Sequence, residues 1–288
     1  MDNLDDFECY DYLLFDPMKS LGWSATEVSW RDKLIDWNRY EAVIIRSSWD
    51  YQQAPKAFLN TLEEIENSSA HLENSLETVK WNIDKTYLKD LQERGIEIVP
   101  SLWGTHFEKD QIDQYFQRLQ TSEIIIKPTV SAGADDTFWI NRSDSINYID
   151  TLLDTFNNRP FLIQPFMQNI IAEGEFSVFF FGDTYSHTIL KTPKKDDFRV
   201  QEEHGGILKK VTPEKKLRSS ARELHTKITP EPLYSRMDYV RTAENTFALM
   251  ELELIEPSLY FNMDPESPER FAKVFDHWME ARLANSVQ

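Results

Sequence analysis

Near the end of the chain, apolar and acidic residues alternate in a pattern that predicts a β-strand. The run 247–255 is apolar apart from Glu251 and Glu253, which stand two positions apart. Because side chains at i and i+2 share one face of a strand, both carboxylates point the same way. A second strand-like run, 235–240, precedes it, and the turn-forming stretch 243–246 between the two runs predicts a hairpin.

This hairpin is expected to gather three acids. If Glu244 and Asn245 form a two-residue loop, antiparallel pairing places Asp238 directly opposite Glu251. Like charges in that position destabilise a sheet by roughly 0.2–1 kcal/mol, whereas a bound cation removes the repulsion. Mg²⁺ prefers carboxylate oxygens, so Asp238, Glu251 and Glu253 are candidate metal ligands. The residues alone leave open an alternative, a solvated acidic strand face in an acidic protein.

Apolar periodicity along the rest of the chain predicts alternating strands and helices, and therefore an α/β fold. The predicted strands are 42–45, 96–99, 123–127, 137–140, 161–164, 176–181 and 186–191. The predicted helices are 11–21, 56–66, 81–95, 145–156, 213–228 and 268–283. Strands 123–127 and 137–140 are expected to pair around the loop 128–136.

Composition narrows the classes of function. The chain has 288 residues, enough to bury a sizeable core, and its 31 basic and 49 acidic residues give a formal net charge of −18. Such a charge argues against a nucleic-acid backbone or an anionic membrane as partner. The apolar runs are far shorter than the ~20 residues of a membrane span, and the acidic start, 1–6, is unlike a signal peptide, so we expect a cytoplasmic protein. Cys9 is the only cysteine, which excludes an intrachain disulfide.

Two lysines stand where a nucleotide phosphate could be held. Lys85 lies at the start of the predicted helix 81–95, where the helix dipole disfavours a cation unless an anion is near. Lys127 ends a predicted strand, and the small-residue loop after it could line a phosphate with backbone amides. An isolated lysine is usually an exposed side chain. The order of features is the stronger argument: a helix-start lysine, strand-Lys-Pro, Gln-Pro-Phe-Met, Asp-Phe-Arg, Gly-Gly and the acidic hairpin.

That order resembles the ATP-grasp superfamily over most of the chain, from about Arg46 to the end. It is similar to prokaryotic glutathione synthetases and, through Arg-Ser-Ser-Trp-Asp-Tyr, Trp-Asn-Ile-Asp-Lys-Thr-Tyr-Leu and Glu-Leu-Glu-Leu-Ile-Glu-Pro, to the cyclo-ligases of D-cycloserine biosynthesis. The resemblance implies an α/β (α+β) ATP-grasp fold in three parts. These are an N-terminal α/β substrate domain at 1–78, a lid subdomain at 79–160, and a C-terminal catalytic subdomain with an antiparallel sheet at 161–288.

The resemblance also implies roles for individual residues. The ATP-binding residues would be Lys85, Lys127, Ser131, Gly133, Gln164, Phe166, Met167 and Glu175. The residues facing the transferring phosphoryl and acyl groups would be Lys191 and Arg199, with Gln201, Gly205 and Gly206 completing that wall beside the substrate. Asp238, Glu251 and Glu253 match the family's Mg²⁺ ligands.

The chain departs from the glutathione-synthetase pattern at three places. Its phosphate loop has Gly133 alone where that family is richer in glycine, so the loop is expected to cradle phosphate differently. The third metal position is Glu253 rather than asparagine, which adds negative charge. No strand pattern precedes the predicted helix 11–21, where the family has a leading strand.

The implied reaction is ATP- and Mg²⁺-dependent ligation of a carboxylate to an amine through an acyl phosphate. A small amino acid or a derivative would be the substrate, and a homodimer is compatible with the sequence. Beyond strand 42–45 we expect Arg46 to clamp the substrate carboxylate and Asp50 to bind an amine, with Ser47 beside them. A structural salt bridge at Arg46 is the alternative. Three other functions stay open: internal ring closure by a cyclo-ligase, phosphoryl transfer without ligation, and regulation by a nucleotide-binding protein without turnover.

Overall fold

The computed structural model describes residues 1–4, 7–195 and 197–286, so Asp5 and Asp6 of the acidic start lie outside the described residues. Within those ranges the strands form three sheets, of two, four and five strands. No helix in the described part of the chain combines the length and apolar character that a membrane crossing needs.

The first part of the chain is a small α/β unit. Its elements are a 3₁₀ turn (Asp11–Leu14), α1 (Phe15–Ser20), β1 (Ala42–Ile44), α2 (Pro55–Glu66), β2 (His71–Glu73) and α3 (Leu76–Asn82). β1 and β2 pair in parallel, with Val43 beside Leu72. The apolar face of α2, through Phe58, Leu62 and Ile65, packs against this pair and buries a local core.

The second sheet has four antiparallel strands. The elements are α4 (Tyr87–Glu93), β3 (Leu102–Gly104), α5 (Ile112–Leu119), β4 (Glu123–Pro128), β5 (Phe138–Asn141), α6 (Ile149–Thr155) and β6 (Phe161–Pro165), and the strand order is β3-β6-β4-β5. The predicted pairing of β4 with β5 is confirmed, with Ile124 opposite Ile140. Phe116 and Leu152 cover one face. Because β6 pairs with β4, the sheet crosses the proposed boundary between residues 160 and 161.

The third sheet is the largest and carries the acidic hairpin. The elements are α7 (Asn169–Ala172), β7 (Glu175–Phe181), β8 (Thr184–Thr192), β9 (Ile207–Lys210), α8 (Lys215–His225), β10 (Tyr234–Arg241), β11 (Phe247–Glu253) and α9 (Ser267–Ser286). The strand order is β11-β10-β7-β8-β9. Leu88 of α4 and Leu224 of α8 pack on one face, against Met237. On the other face, Phe271 of α9 packs against Phe181.

The hairpin has the predicted register, although by a different route. Asp238 lies opposite Glu251, as expected. The loop has three residues rather than two, because Thr242 and Thr246 close it and Asn245 takes φ of 60°. A β-bulge then shifts the register by one residue between Asp238 and Tyr239, because Tyr239 pairs with Leu249 whereas Asp238 pairs with Glu251. The longer loop and the bulge cancel, and the three acids share one face.

Several predicted elements differ from the structure: residues 11–14 of the predicted helix 11–21 and residues 145–148 of the predicted helix 145–156 are 3₁₀ rather than α-helical. The stretch 96–99 makes one isolated parallel bridge, from Ile98 to Leu249, because Pro100 follows and has no N–H to extend the ladder. The helix predicted over 81–95 is split between α3 and α4. Asn82 ends α3 by donating to the carbonyl of Leu252 at 2.9 Å and accepting from the N–H of Leu254. The break leaves Lys85 in a turn before α4. Strands β2, β3 and β9 were not predicted.

Candidate active site

One face of the five-stranded sheet has two unlike halves. Its apolar half consists of Phe179, Phe181, Ile189 and Tyr234, which α9 covers. Its charged half consists of Glu175, Lys191, Arg236, Asp238, Glu251 and Glu253, which share that face because they stand opposite one another or two apart along the strands. Apart from Asp238, the charged half lines the floor of a cavity of about 500 Å³, whose walls come from both large sheets and the N-terminal unit.

Two lysines from other elements reach Glu251. Lys85 Nζ lies 3.1 Å from one carboxylate oxygen and Lys127 Nζ lies 3.9 Å from the other. Burial, opposed by Glu251, lowers the pKa of Lys127, and Lys85 lowers it further. Although burial acts the other way, Lys85 and then Lys127 lower the pKa of Glu251. Two cations therefore contact one carboxylate at the cavity surface. Their combined positive charge would attract a polyanionic ligand.

Lys191 lies deeper and links two acids. It is 3% exposed, and its Nζ lies 2.5 Å from Glu175 and 3.5 Å from Asp238. Burial opposes its charge, yet Asp238 and Glu175 raise its pKa above the ordinary value. Asp238 is also 3% exposed and accepts a hydrogen bond from Ser177. Lys191 thus holds its charge in an enclosed position, where burying it without partners would be costly.

Arg236 sits among the predicted metal ligands. It donates to Asp238 at 3.0–3.2 Å and to Glu253. Although burial raises the pKa of Asp238, Arg236 and Lys191 outweigh it and hold that pKa low. Partial burial raises the pKa of Glu253 to about 7 despite Arg236.

The carboxylates fit a divalent cation in part. Glu251 and Glu253 line the cavity, and a set of carboxylate oxygens is what Mg²⁺ prefers. Asp238 lies behind them and its oxygens are taken by Arg236, Lys191 and Ser177. The ligand atoms of these three acids do not all lie within 4.8 Å of one another. Among the described residues the trio that meets that distance is Asp183, His225 and Glu231, far from the cavity floor, where Arg222 already binds Asp183.

The predicted nucleotide-base residues lie together on the cavity wall. Gln164, Phe166 and Met167 all line it, and Gln164 donates to Ser101 at 3.0 Å. The ring of Phe166 stacks on Trp139, with centroids 4.3 Å apart and an interplanar angle of 23°. A flat apolar surface next to a polar amide suits a heteroaromatic base.

The loop after β4 is fastened to Lys85. Lys85 Nζ donates to the carbonyl of Ser131 at 2.7 Å, and its backbone N–H donates to Thr129 at 2.8 Å. Gly133 has φ of 61° and open space around it, so a backbone conformation that favours glycine is used there. Both Ser131 and Gly133 line the cavity.

Arg199 and Gln201 line the cavity from the loop 197–206. Arg199 is bound to Asp197, with Nη2–Oδ2 at 2.8 Å, and hydrogen bonding from Arg199 lowers the pKa of Asp197 strongly. Gly205 and Gly206 do not line the cavity. A Cβ on Gly206 would lie 2.0 Å from the Val200 carbonyl oxygen. Glycine at this position therefore permits the close approach of residue 206 to the backbone of Val200 and Gln201.

The substrate residues predicted after β1 are elsewhere. Arg46 is partly buried in an ion pair with Asp11, 3.0 Å away, and Ser47 donates to the same carboxylate at 2.7 Å. Asp50 accepts from Trp30 at 2.8 Å and Arg31 at 2.7 Å. None of the three lines the cavity, so these contacts favour the alternative of a structural salt bridge at Arg46, and the clamp at Arg46 and the amine site at Asp50 stay predictions. The salt bridge forms with Asp11, whose approach from the N-terminal turn no local pattern indicated.

Several cavity residues were not predicted. Arg236 precedes Asp238 by two positions, so the alternation that identified Asp238 could have found it. Glu256 follows the acidic strand in the Glu-Pro pair and is only 8% exposed. Burial and the neighbouring Glu253 raise the pKa of Glu256 well above its ordinary value. Phe7 and Glu8 also line the cavity, and no signal in the sequence pointed to them.

Known proteins share this architecture. The N-terminal domain of D-cycloserine synthetase DcsG matches residues 1–74, and the ATP-grasp domain of prokaryotic glutathione synthetase matches residues 97–236. The sequence is 27% identical over 277 residues, 90% of each chain, to cycloserine biosynthesis protein DcsG of Streptomyces lavendulae.

Solved structures agree with these matches. The crystal structure of D-cycloserine synthetase DcsG has a TM-score of 0.81 at 24% identity, covering 93% of this chain and 94% of that chain. The ATP-grasp ligase PsnB complexed with minimal precursor, Mg and ADP has a TM-score of 0.63 at 12% identity, again covering 93% and 94%. The fold class expected from the sequence is confirmed.

Proposed function

Because this chain is an ADP-forming ATP-grasp ligase that resembles D-cycloserine synthetase and prokaryotic glutathione synthetase, we propose that it activates the carboxylate of a small amino acid or amino-acid derivative and joins it to an amine. ATP and Mg²⁺ are the cofactors of this class. The observation that carries the proposal is the convergence of Lys85 and Lys127 on Glu251, at the edge of a floor of paired acids and cations.

In the proposed reaction, the substrate carboxylate attacks the γ-phosphate of ATP and forms an acyl phosphate and ADP. An amine then attacks the acyl carbon, and phosphate leaves as the amide forms. Phosphoryl transfer needs alignment and neutralised charge more than it needs a side-chain nucleophile. The cations of the cavity would supply that neutralisation.

Lys85 and Lys127 would exchange Glu251 for phosphate oxygens when the nucleotide binds. Glu251 and Glu253 would then hold the metal, with Asp238 behind them. Mg²⁺ held there would neutralise part of the phosphate charge. Lys191 keeps Glu175 and Asp238 in place throughout, because both of its short contacts are buried.

Arg199 has a different role in this proposal. Its side chain lies at the cavity wall but is held by Asp197. It would release Asp197 to meet the charge that develops on the transferring phosphoryl group. Gln164, Phe166 and Met167 would bind the adenine, Ser131 and Gly133 the phosphates, and Glu175 the ribose.

An ADP-release assay tests the proposal. The protein is incubated with Mg-ATP and a panel of L- and D-amino acids, dipeptides and ureido or hydroxamate derivatives, with and without an added amine. We expect at least one acid to stimulate ADP and phosphate release together with an amide product detected by mass spectrometry. Nucleotide binding without stimulated release by any of them would favour a regulatory protein, and phosphoryl transfer without an amide would favour a phosphotransferase.

Internal ring closure is a second candidate. It is favoured by the match of residues 1–74 to the N-terminal domain of D-cycloserine synthetase, since that part of the chain is outside the shared ATP-grasp domain. A cyclo-ligase would release ADP with a single substrate, and its product would be that substrate less one water. A ligase would release little ADP until a separate amine is supplied.

A further inference from the structure

Glu256 is set apart from the other buried acids of the cavity. Asp238, Glu175, Glu251 and Glu253 each contact a lysine or an arginine. Glu256 lines the same cavity and is 8% exposed, yet no hydrogen bond or ion pair joins its carboxylate to another side chain in ranges 1–4, 7–195 and 197–286. A buried carboxylate without a partner is unfavourable, so this position is complete only when a donor or a cation arrives.

The backbone around Glu256 is held firmly. Trp49 Nε1 donates to the Glu256 carbonyl at 2.8 Å, and Arg46 Nη2 donates to the Pro257 carbonyl at 2.8 Å. Arg236 reaches the Ser258 carbonyl at 3.4 Å. Side chains from two other parts of the chain therefore fix three successive carbonyls. Arg46 and Trp49 of the Arg-Ser-Ser-Trp motif therefore support this segment, and Trp49 also lines the cavity.

Its surroundings indicate which ligand group would meet it. Glu256 lies on the cavity wall between the acids and lysines of the floor and the aromatic residues Tyr51, Trp49 and Phe7. Lys85 and Arg236, the cations that act on it, are already bound to Glu251 and to Asp238 and Glu253. A donor for Glu256 is therefore expected from the ligand, and a primary ammonium is a compact cation with three donors.

We propose that Glu256 binds the ammonium group of an amino-acid substrate, and so selects substrates with a free amine. The proposal rests on the proposed function, and it assigns to Glu256 the amine recognition expected of Asp50. The substrate carboxylate would point towards the edge of the floor, where Lys85 and Lys127 meet Glu251, and the ammonium would point away from it. Neutral or N-acylated acids would leave Glu256 buried and unpaired, which costs binding energy.

The test measures binding without requiring turnover. Wild type saturated with Mg-ADP is screened by thermal shift and calorimetry against L- and D-amino acids, each beside its N-acetyl derivative. We expect at least one amino acid to bind and its N-acetyl partner to bind about 10- to 100-fold more weakly, the range for a lost hydrogen bond to a charged group. If no amino acid binds better than its N-acetyl partner, the proposal is overturned.

Variants then assign the effect to one side chain. Glu256→Gln should weaken binding of that amino acid by the same factor and leave Mg-ADP affinity within about twofold, while Glu256→Asp should recover part of the loss. Glu203→Gln is the matched control, because Glu203 lines the same cavity but is exposed, and it should bind like wild type.

Other outcomes separate this proposal from its premise. Unchanged amino-acid binding by Glu256→Gln overturns it, and weakened Mg-ADP binding would instead make Glu256 part of the metal site, which also overturns it. ADP release is measured in the same samples with ATP. Glu256-dependent binding without ADP release would contradict the ligase function and leave the ammonium site standing.

Discussion

The two halves of one face of the five-stranded sheet share the same antiparallel strand pairing but differ in what lies against them. In the apolar half, Phe181 and Tyr234 stand opposite each other and are buried under α9. In the charged half, Asp238 and Glu251 stand opposite each other, and Glu251 lines the cavity in front of the buried Asp238. Alternation with period two places both pairs on this face, and the two halves differ in that α9 covers the aromatic residues whereas a cavity lies beside the charged ones.

The comparison also shows how a charged floor can exist before a ligand arrives. Four acids of the charged half face four cations, Lys85, Lys127, Lys191 and Arg236, and the short contacts between them neutralise the floor. The apolar half is stabilised by burial, which is permanent. The charged half is stabilised by ion pairs, which in the proposed function would be exchanged for phosphate and metal.

The first prediction concerns the apolar half, where the largest change in stability is expected. Phe181→Ala removes a fully buried ring whose centroid lies 5.1 Å from that of Phe271. The free energy of unfolding should fall by about 3–5 kcal/mol, measured by urea denaturation. Activity per folded molecule should stay near wild type. Leu34→Ala, at a 92% exposed position, is the control and should change stability by less than about 0.5 kcal/mol.

The second prediction concerns the charged half. Glu251→Gln should lower turnover by at least about 10²–10³, comparable to the loss of one preorganised electrostatic group, and should weaken Mg-ATP binding measured by calorimetry. It should lower the free energy of unfolding much less than Phe181→Ala, because Lys85 keeps its bond to Ser131. Glu244→Gln makes the same change in the exposed loop of the hairpin and should be silent. Wild-type turnover in Glu251→Gln would contradict the assignment of catalysis to the charged half.

The third prediction concerns Arg46, which contacts Tyr234 of the apolar half and the backbone next to the cavity residue Glu256. Its guanidinium lies over the Tyr234 ring and donates to Asp11 and Pro257. Lysine cannot reproduce that fork, so Arg46→Lys should lower the free energy of unfolding by about 1–3 kcal/mol while Mg-ATP affinity stays near wild type. Arg39→Lys, at an exposed position, is the control. Unchanged stability with a raised KM for the acid substrate would restore the carboxylate clamp.

Sequence reasoning succeeded where one rule placed the side chains. The alternation of acidic and apolar residues correctly placed Glu251 and Glu253 on one face of the strand. The predicted hairpin register was also correct, because the extra loop residue is offset by the β-bulge. Arg46 follows a strand, but beyond the strand no period fixes a direction, and its partner Asp11 comes from 35 residues away. Glu256 was visible in the Glu-Pro pair. Its lack of a partner is a property of the packed cavity and not of any local pattern.

The smallest effect is expected where the N-terminal segment meets the loop of Arg199. Tyr10 donates to the Glu202 carboxylate, with oxygen distances of 3.1 and 3.2 Å, so its hydroxyl ties the segment carrying Phe7 and Glu8 to the cavity wall. Tyr10→Phe keeps the ring and removes that bond, which should lower the free energy of unfolding by about 0.5–1.5 kcal/mol. The KM for the acid substrate should rise less than tenfold with kcat nearly unchanged, because the wall loosens while the charged half is untouched. Tyr12→Phe, at a 59% exposed ring, is the matched control and should change neither value. A fall in kcat as large as that of Glu251→Gln would mean that this segment belongs with the charged half, and the division drawn between catalytic floor and structural surroundings would have to be moved.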